Sequence, residues 1–568
     1  MRSSRVVGIA VATVFLTWAG ARAAEQEFRR LPVQEYCDKM KAGWIGQMAG
    51  VGWGGPTEFK WKAAIIPEDQ MPGWEPKKIN QFNQDDVYVE QTFVRSLEEG
   101  GLDVSIRQAG IDFANSGYRL WHANDAGRSN LRRGIAPPDC GHPQFNKHAD
   151  DIDYQIDADY SGLVAPGLPN TAIALGEKFG RLINYGDGLY GGQFIGGMIA
   201  EAFFEKDPVK LVEAGLRCIP PGSQYAECMR DVLKWHKENP DNWEKTWNLV
   251  EKKYQDNPDY RRYSCDKGKY NIDAKINGAY VVMGLLYGKG DLDKTIVIAC
   301  RCGQDSDCNP ANSGGVLFTT IGFSKLPERF TSALDESKTF EYTPYTFPKL
   351  IAACEKIARE AVVKSGGRIE KDANGEEVFV IPVQTPKPGK LEQCWAPGSI
   401  ANSKFTEDEM KQIVPPVSKK DADATARMNE AMKTFAPGWA VAYCGEIEKP
   451  GLREEFGSRK NVLVTHPLNR DTGCVLSRKV EVPAGKKTAL RLTVGHDPRG
   501  DWTLIVRADG KELLKKTVGK ETAENGWMDL AVDLTRFAGK TVALELVNQP
   551  SAWSWETAFW ARIAVESE

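Results

Sequence analysis

The stretch "GQDSDCNPANSGG" (residues 303–315) places Asp305 and Asp307 among small residues, just before a segment with helical periodicity. Two residues apart on an extended segment, both aspartate side chains point to the same face. Asn309 followed by Pro310 predicts the N-cap and the first position of a helix. The stretch therefore predicts a helix that begins with two carboxylates on one side.

A second acidic pair opens another predicted helix. The stretch "NQDD" (83–86) carries Asp85 and Asp86, and apolar residues at helical spacing follow over 86–99. Adjacent residues on a helix point about 100° apart, so the two carboxylates converge only on the entry turn. Two carboxylate pairs at helix starts suit a hard cation such as Mg2+, which takes oxygen ligands. Helix capping without any metal is the competing interpretation, because Asp is among the commonest caps.

A calcium loop is the third interpretation of the first stretch, and counting its positions excludes it. In a 12-residue calcium loop the sixth residue must be Gly and the twelfth must be Glu. A loop that starts at Asp305 has Pro310 and Val316 at these positions. The two aspartates therefore belong either to a capped helix start or to a different kind of metal site.

Helical periodicity extends over residues 30–365 and predicts an all-α domain. The segment "GWIGQMAGVGWGGPTEFKW" (43–61) has glycines at the spacing of a closely packed helix and ends in a turn that carries Glu58. Gly, Pro and Asn separate the apolar segments. Further helices are predicted over 169–182, 191–205, 207–217, 275–288 and 309–323.

The pattern changes after residue 365. Asn374-Gly375 predicts a tight hairpin turn within a hairpin and linker region, 366–433. Short segments that alternate apolar and polar residues predict an all-β sandwich over 434–568, similar to carbohydrate-binding modules. Four tryptophans there either stack on sugar rings at the surface or fill the sandwich core: Trp527, Trp553, Trp555 and Trp560.

The N-terminus predicts export. Residues 1–24 contain two early arginines, an apolar stretch and small residues at Ala21 and Ala23, which together are typical of a secretory signal peptide. We expect cleavage after Ala23 or Ala24 and a periplasmic or extracellular protein. No later apolar run is long enough to predict a membrane span.

Composition limits the classes of partner and site. The 568-residue chain has a formal net charge of -4 and a pI near 6.1, which argues against nucleic acid as the main partner. Its length predicts at least two hydrophobic cores. Twelve cysteines in an exported chain permit disulfides. Cys300, Cys302 and Cys308 lack the spacing of a structural zinc site, so packing or disulfides explain them better.

Three motifs in order resemble the ADP-ribosylglycohydrolase family over about residues 35–330. They are a Gly-rich helix that ends in P-x-E-F, an x-D-D helix start and a G-x-D-x-D-x-N helix start. The resemblance implies an all-helical fold with a magnesium centre that hydrolyses the glycosidic bond to ADP-ribose. It also implies one or two Mg2+ ions and these metal ligands: Gln84, Asp85, Asp86, Asp305, Asp307 and Cys308.

Two of these positions depart from the family pattern, which usually has threonine at both. Gln84 still offers a carbonyl oxygen, whereas Cys308 is a soft ligand that matches Mg2+ poorly. The resemblance also implies a catalytic role for Glu58. The acidic run 148–172 adds candidates for the proton donor, so the candidate catalytic residues are Glu58, Asp86, Asp157 and Asp159.

Three hypotheses about function follow. The first is an exported hydrolase that cleaves a glycosidic bond of a glycan with Mg2+ assistance, since carboxylates beside aromatic rings suit sugars. The second is an ADP-ribosyl hydrolase that releases ADP-ribose from modified proteins. The third is a glycan-binding protein whose metal site has decayed at Gln84 and Cys308.

Overall fold

The computed structural model describes residues 26–414 and 416–568. The predicted signal peptide lies outside these described residues. Within them, a helical domain is followed by two antiparallel β-sheets, which confirms the predicted fold class. No helix of the described chain is both long enough and apolar enough to cross a membrane.

The helical domain contains most of the helices. Their bounds are α1 Val33–Gly54, α2 Asp85–Gly100, α3 Ile106–Ala114, α4 His122–Arg132, α5 Asp153–Ile156, α6 Asp159–Leu163, α7 Pro169–Phe179, α8 Asp187–Ala202, α9 Pro208–Arg217, α10 Gln224–Glu238, α11 Trp243–Val250, α12 Ala274–Gly288, α13 Leu292–Arg301, α14 Cys308–Ile321 and α15 Phe347–Lys364. A π-helical turn, Glu251–Gln255, extends α11. Two further helices, α16 Glu407–Met410 and α17 Lys419–Phe435, follow this domain in the sequence.

The close packing predicted for the glycine-rich helix is confirmed by the contact between α1 and α14. A Cβ atom added to Gly46 would lie 2.1 Å from the carbonyl oxygen of Gly314, so only glycine permits this approach. A Cβ atom on Gly54 would lie 1.9 Å from the carbonyl oxygen of Ser306. The end of α1, which leads to Glu58, is thereby held against the loop that precedes α14.

The start of α14 differs from the prediction. The helix begins at Cys308, with Asp307 as its N-cap residue and no side-chain capping hydrogen bond. Asn309 is therefore not the cap. Its side-chain amide nitrogen donates instead to Oδ1 of Asn277 at 3.0 Å. Asp305 and Asp307 lie in a turn, not on an extended segment. Because the Asp307 side chain makes no capping hydrogen bond, capping does not account for its carboxylate.

The β-strands form three sheets. Their bounds are β1 Phe28–Pro32, β2 Arg368–Lys371, β3 Glu377–Pro382, β4 Ala440–Ala442, β5 Gly451–Phe456, β6 Arg459–Thr465, β7 Cys474–Glu481, β8 Thr488–His496, β9 Trp502–Ala508, β10 Lys511–Val518, β11 Trp527–Asp533, β12 Thr541–Gln549 and β13 Ala558–Ser567. The small sheet has the order β1-β3-β2, and the sandwich consists of β10-β9-β12-β7-β4 and β11-β8-β13-β6-β5.

The region predicted as hairpin and linker (366–433) divides between the two domains. The hairpin forms, but β3 also pairs with β1, and Phe379 and Ile381 join the core of the helical domain. In contrast, Met428 and Met432 of α17 pack into the core of the sandwich. The core of the sandwich therefore includes α17, because the amphipathic face of this helix is buried against the sheets.

The four tryptophans of the sandwich take different positions. Trp560 is fully buried in the sandwich core, and Trp527 is buried in a smaller cluster beside Phe456. Trp555 is exposed and the Arg499 guanidinium lies over its ring. Trp553 is half-buried at the edge that faces the helical domain. Core packing thus accounts for two of the four.

Candidate metal centre and active-site cavity

A cavity of about 230 Å³ forms where several helices begin. Its wall includes the turn after α1 and the first residues of α2, α4, α5 and α14. These helix starts are far apart in the sequence, so they come together only in the folded domain. The lining residues are Glu58, Phe59, Gln84, Asp85, Trp121, His122, Ile152, Asp153, Ile156, Tyr270, Ile272, Asp305, Asp307 and Cys308.

Backbone hydrogen bonds fix the Glu58 turn to the loop that carries Asp305 and Asp307. The Phe59 amide donates to the carbonyl oxygen of Gln304 at 3.0 Å, and the Gln304 amide donates to that of Trp61 at 2.9 Å. Ligand atoms of Asp305, Asp307 and Cys308 all lie within 4.8 Å of one another. The two motifs singled out in the sequence therefore form one rigid wall of the cavity.

Asp85 and Asp86 occupy the first turn of α2 but face different surroundings. Asp85 lines the cavity, whereas Asp86 is fully buried behind it. The Cys308 thiol donates to Oδ1 of Asp86 at 3.1 Å, and Oδ2 of Asp86 has no hydrogen-bond partner among the described residues. The two adjacent carboxylates thus do not both face the cavity, because successive helical residues point about 100° apart.

Burial raises the pKa of every carboxyl group in this cluster. The pKa values of Asp86, Asp305 and Asp307 lie well above their usual range because of burial and neighbouring carboxylates. Burial also raises the pKa of Asp85. Of the described residues that line the cavity, only His122 is basic. A bound cation would stabilise the ionised form of these carboxyl groups, which burial otherwise disfavours.

The donor atoms fit a hard divalent cation such as Mg2+. Buried carboxylate oxygens are normally hydrogen-bonded, yet Oδ1 of Asp305 and Oδ2 of Asp86 have no partner in the described chain. Asp85, Asp307 and the side-chain carbonyl of Gln84 add oxygen donors at the same wall. Oxygen-only donors are the preferred ligands of Mg2+.

Cys308, which the resemblance implies to be a metal ligand, forms a hydrogen bond with Asp86 in the structure. Burial and the carboxylates of Asp305 and Asp307 raise the pKa of its thiol well above the usual range, so the sulfur keeps its proton. This proton is donated to Asp86. Cys308 therefore supplies a hydrogen bond to Asp86, while its sulfur also lies within 4.8 Å of ligand oxygens of Asp305 and Asp307, so its role as a metal ligand stays a prediction.

Asp157 and Asp159 do not line the cavity, although both were candidate proton donors. Asp157 accepts a hydrogen bond from the side-chain amide of Asn124 at 2.7 Å, and Asp159 accepts one from that of Asn312 at 2.8 Å. Both aspartates are fully buried. These hydrogen bonds connect the two aspartates to α4 and α14, and a catalytic role for either of them stays a prediction.

The structure adds residues that sequence reasoning missed, above all Asp153, His122 and Tyr270. Asp153 accepts from the backbone amide of Asn124 at 2.8 Å, and burial raises the pKa of its carboxyl group to about 6. The hydroxyl of Tyr270 lies 2.8 Å from Nε2 of His122. Asp153 stood in the acidic run, but nothing in the sequence separated it from Asp157. His122 and Tyr270 carried no local signal.

A wider groove of about 850 Å³ adjoins the cavity, and Trp121 and His122 line both. The sandwich contributes Trp553 and a loop to its far wall, where Oδ2 of Asp471 lies 3.8 Å from Nη1 of Arg132. The groove is rich in basic side chains: Arg119, Arg128, Arg132, Lys147 and Arg470. A substrate longer than the cavity would therefore contact both domains.

Comparison with solved structures finds partial similarities. An "ADP-ribosylglycohydrolase-related protein complex" is 14% identical, covers 58% of this chain and 99% of its own, and has a TM-score of 0.37. A xylan-binding CBM22-1 domain from Paenibacillus barcinonensis is 13% identical, covers 24% of this chain and 90% of its own, and has a TM-score of 0.18. Among curated proteins, no match is found.

The carboxylate-lined cavity of the helical domain is a candidate hydrolytic site. The ADP-ribosylglycohydrolase family profile matches residues 32–364, which is more than half of the chain. The chain belongs to this family, and the resemblance seen in the sequence is confirmed. Family membership makes the protein a hydrolase of glycosyl-type bonds.

Proposed function

We propose that this protein is an exported, Mg2+-assisted hydrolase that cleaves a glycosidic bond of a glycan. One observation carries the proposal: five carboxylates line a single cavity beside aromatic rings, and no Lys or Arg belongs to its described lining. Glycoside hydrolysis needs a proton donor for the leaving oxygen and a second group that holds water or stabilises the oxocarbenium ion. The carboxylates are Glu58, Asp85, Asp153, Asp305 and Asp307.

Glu58 is the best-placed proton donor. It lies at the cavity mouth, where partial burial and the carboxylates of Asp307 and Asp85 raise its pKa to about 8. Partial burial favours the protonated form that a general acid needs. The backbone bonds of the neighbouring Phe59 hold the turn against the opposite loop.

The remaining acids of the cavity hold the cation and orient the substrate. Asp85, Asp305 and Asp307, with the carbonyl of Gln84, would bind Mg2+. When bound, this cation supplies Lewis-acid polarisation and a fixed position for an oxygen atom. Oδ1 of Asp86 accepts the hydrogen bond of the Cys308 thiol, which leaves its Oδ2 available to the cation.

The size and walls of the cavity favour a sugar ring. Its volume of about 230 Å³ is below the range of roughly 300–1,000 Å³ typical of drug-sized ligands. Phe59, Trp121 and Tyr270 present aromatic surface, while the acids offer hydrogen-bond acceptors to sugar hydroxyls. One monosaccharide unit fits this combination better than a nucleotide does.

A second candidate function is hydrolysis of ADP-ribosylated protein, and the basic groove favours it. A pyrophosphate prefers arginine donors, and Arg119, Arg128 and Arg470 line the groove next to the cavity. ADP-ribose bound with its ribose in the cavity would place its phosphates toward these side chains. An acidic glycan would make the same contacts, so substrate assays must separate the two.

The test compares the purified protein on a panel of neutral and acidic glycans and on an ADP-ribosylated peptide. Each assay is run after chelation, after re-addition of Mg2+, and with an Asp307→Asn variant. Asp69→Asn, an exposed aspartate outside the cavity, is the matched control. We expect sugar release from a glycan that requires Mg2+ and is lost in Asp307→Asn.

Each outcome decides between the hypotheses. Release of ADP-ribose in place of sugar supports the second candidate. Full activity after rigorous metal removal overturns the role of Mg2+. Binding of a glycan without cleavage under any condition supports the glycan-binding hypothesis and overturns the enzymatic one.

The role of Glu58 is tested by Glu58→Gln, which keeps the size of the side chain but cannot donate the carboxyl proton. We expect kcat to fall by about 10²- to 10⁴-fold with little change in KM, because general acid catalysis contributes on this scale. The exposed Glu75→Gln serves as the control. Equal kcat values for the two variants would assign the proton donor elsewhere, with Asp153 as the next candidate.

N-terminal sequencing of the mature protein, after cell fractionation, tests export. The predicted signal peptide would be removed after Ala23 or Ala24, so N-terminal sequencing should give Ala24 or Glu25 as the first residue. Retention of Met1 in the cell fraction would contradict export.

A further inference from the structure

A second group of metal-type ligands lies beside the acidic cavity. It consists of His122, His148, Asp151 and Cys265, and one ligand atom from each lies within 4.8 Å of all the others. The four residues come from the start of α4, the loop before α5 and the loop before α12. This cluster, called here the His/Cys cluster, shares no residue with the carboxylate ligands proposed for Mg2+.

Asp151 is the centre of the His/Cys cluster. Its side chain is 1% exposed, and its Oδ2 lies 2.7 Å from Nδ1 of His148 and 3.4 Å from Nδ1 of His122. Oδ1 of Asp151 and Nδ1 of His122 are both buried and have no hydrogen-bond partner among the described residues. Buried polar atoms of this kind are normally hydrogen-bonded, so these two atoms remain free to bind a cation.

The surroundings orient the ligands in the way that metal sites require. The hydroxyl of Tyr270 engages Nε2 of His122 at 2.8 Å, which leaves Nδ1 to face Asp151. Histidine ligands of metals characteristically use their second nitrogen in such an outer hydrogen bond. The loop that carries Cys265 is also fixed, because the Arg261 guanidinium donates to the carbonyl oxygens of Asp266, Gly268 and Tyr270 at 2.6–2.9 Å.

We propose that the His/Cys cluster binds a zinc-type divalent cation with four protein ligands. Two imidazole nitrogens, one carboxylate oxygen and one thiolate match the mixed donor set of Zn2+, whereas Mg2+ prefers oxygen alone. The thiolate and carboxylate together neutralise the charge of the ion. Four protein ligands correspond to a structural site, since a catalytic zinc site keeps one position open.

This ion would stabilise the shared rim of the cavity and the groove. His122 and Trp121 line both spaces, and Tyr270 lines the cavity. A cation held by His122 and Cys265 would link the start of α4 to the loop before α12. The site would therefore position the rim without entering the chemistry, and it is independent of the proposed hydrolase function.

The test measures metal content and ligand identity on the full-length protein. The protein is purified without chelator, dialysed against Mg2+ buffer and assayed for zinc by mass spectrometry. Zinc is then replaced by Co2+, because a thiolate ligand gives Co2+ a charge-transfer absorption in the near ultraviolet. We expect one tightly bound zinc per chain and this absorption in the cobalt form.

Variants identify the ligands. Cys265→Ser should abolish the charge-transfer absorption, and His148→Gln should remove zinc from the dialysed protein. Tyr270→Phe should weaken zinc binding by about 10- to 100-fold through loss of the outer hydrogen bond. Cys37→Ser is the control, because this cysteine lies on α1 outside the cluster and its Sγ contacts Glu355. Circular dichroism verifies that each variant is folded.

Two results would overturn the proposal. One is a folded wild-type protein that retains no zinc and gains none on titration, which would leave a hydrogen-bonded His-Asp-His group without metal. The other is zinc that survives both Cys265→Ser and His148→Gln with unchanged affinity. Neither result bears on Mg2+-dependent hydrolysis, which the Asp307→Asn assay tests separately.

Discussion

Asp85 and Asp86 are neighbours in the sequence, yet they occupy different environments in the folded protein. Asp85 lines the cavity, whereas Asp86 is fully buried and accepts the hydrogen bond of the Cys308 thiol. The environment of each carboxyl group therefore decides its role, as it does for Glu58 at the mouth of the cavity. The same principle applies to buried acids outside the site.

Substitution of Cys308 tests its role as a hydrogen-bond donor. Cys308→Ser keeps a donor to Asp86, whereas Cys308→Ala removes it. We expect the Mg2+ concentration for half-maximal activity to rise by about 10- to 100-fold in the alanine variant, which is typical of lost outer-shell contacts. The serine variant should stay within a few-fold of wild type. Cys37→Ala serves as the control, and equal effects of serine and alanine would contradict the donor role.

Glu251 provides a test of stability against pH away from the cavity. It is buried and accepts a hydrogen bond from the Tyr280 hydroxyl, and burial raises its pKa to about 7. Because the folded protein holds this proton more tightly than the unfolded chain, the free energy of unfolding falls as pH rises from about 4.5 to 7. The contribution lost is at most about 3 kcal/mol, at 1.36 kcal/mol per pKa unit.

The variant Glu251→Gln cannot ionise and keeps an acceptor for Tyr280. We therefore expect it to be more stable than wild type above pH 7 and similar near pH 4.5, measured by denaturant unfolding across this range. Glu238→Gln, an exposed change on α10, is the control. Parallel pH profiles for wild type and Glu251→Gln would contradict the assignment.

At the scale of elements, the contact between α1 and α14 creates the site. The two helices are antiparallel neighbours, so the end of α1 meets the start of α14, and Glu58 comes close to Asp305 and Asp307. Glycines at the interface permit this approach. Packing of two helix backbones thus decides the positions of the proposed catalytic acid and of the proposed metal ligands.

Gly46→Ala tests this contact. The added methyl group would lie 2.1 Å from the carbonyl oxygen of Gly314, so the helices must separate. We expect a loss of about 1–3 kcal/mol or more in the free energy of unfolding, as for other overpacked cores, together with a higher Mg2+ concentration for half-maximal activity. Gly73→Ala, which meets no atom within 4 Å, is the control. An unchanged free energy of unfolding and an unchanged Mg2+ affinity in Gly46→Ala would show that the two helices can move apart without loss of stability.

At the scale of the whole molecule, the sandwich forms one wall of the groove next to the cavity. Trp553 and the loop with Arg470 and Asp471 reach this groove, whereas Trp555 lies outside it. A long substrate could therefore use the sandwich as a continuation of the active site. A short substrate that occupies only the cavity would not contact it.

Trp553→Ala separates these two cases. We expect KM for an oligomeric substrate to rise by roughly 2- to 12-fold, equivalent to about 0.5–1.5 kcal/mol for an aromatic stacking contact. The variant should leave kcat and the KM of a monosaccharide derivative unchanged. Trp555→Ala is the matched control. If both variants affect the oligomer equally, the groove does not bind substrate.

Local patterns in the sequence were sufficient to predict the classes of structure. Helical spacing predicted the α domain, alternation predicted the sandwich, and glycine spacing predicted the close packing of α1. The two acidic motifs also identified Asp85, Asp305 and Asp307, since carboxylates at helix starts form a pattern that is visible in one dimension. The match of the family profile confirms the family resemblance, whereas the roles of these three residues stay predictions.

Only the tertiary structure decided which side chains share a cavity. Asp153 and Asp157 look alike in the acidic run, but only Asp153 lines the cavity, because α5 ends between them. His122 and Tyr270 are far apart in the chain and meet through packing of α4 against the loop before α12. The sequence determines local periodicity and charge. Contacts between distant segments depend on how the helices pack, and this packing brings acidic residues from different segments into one cavity.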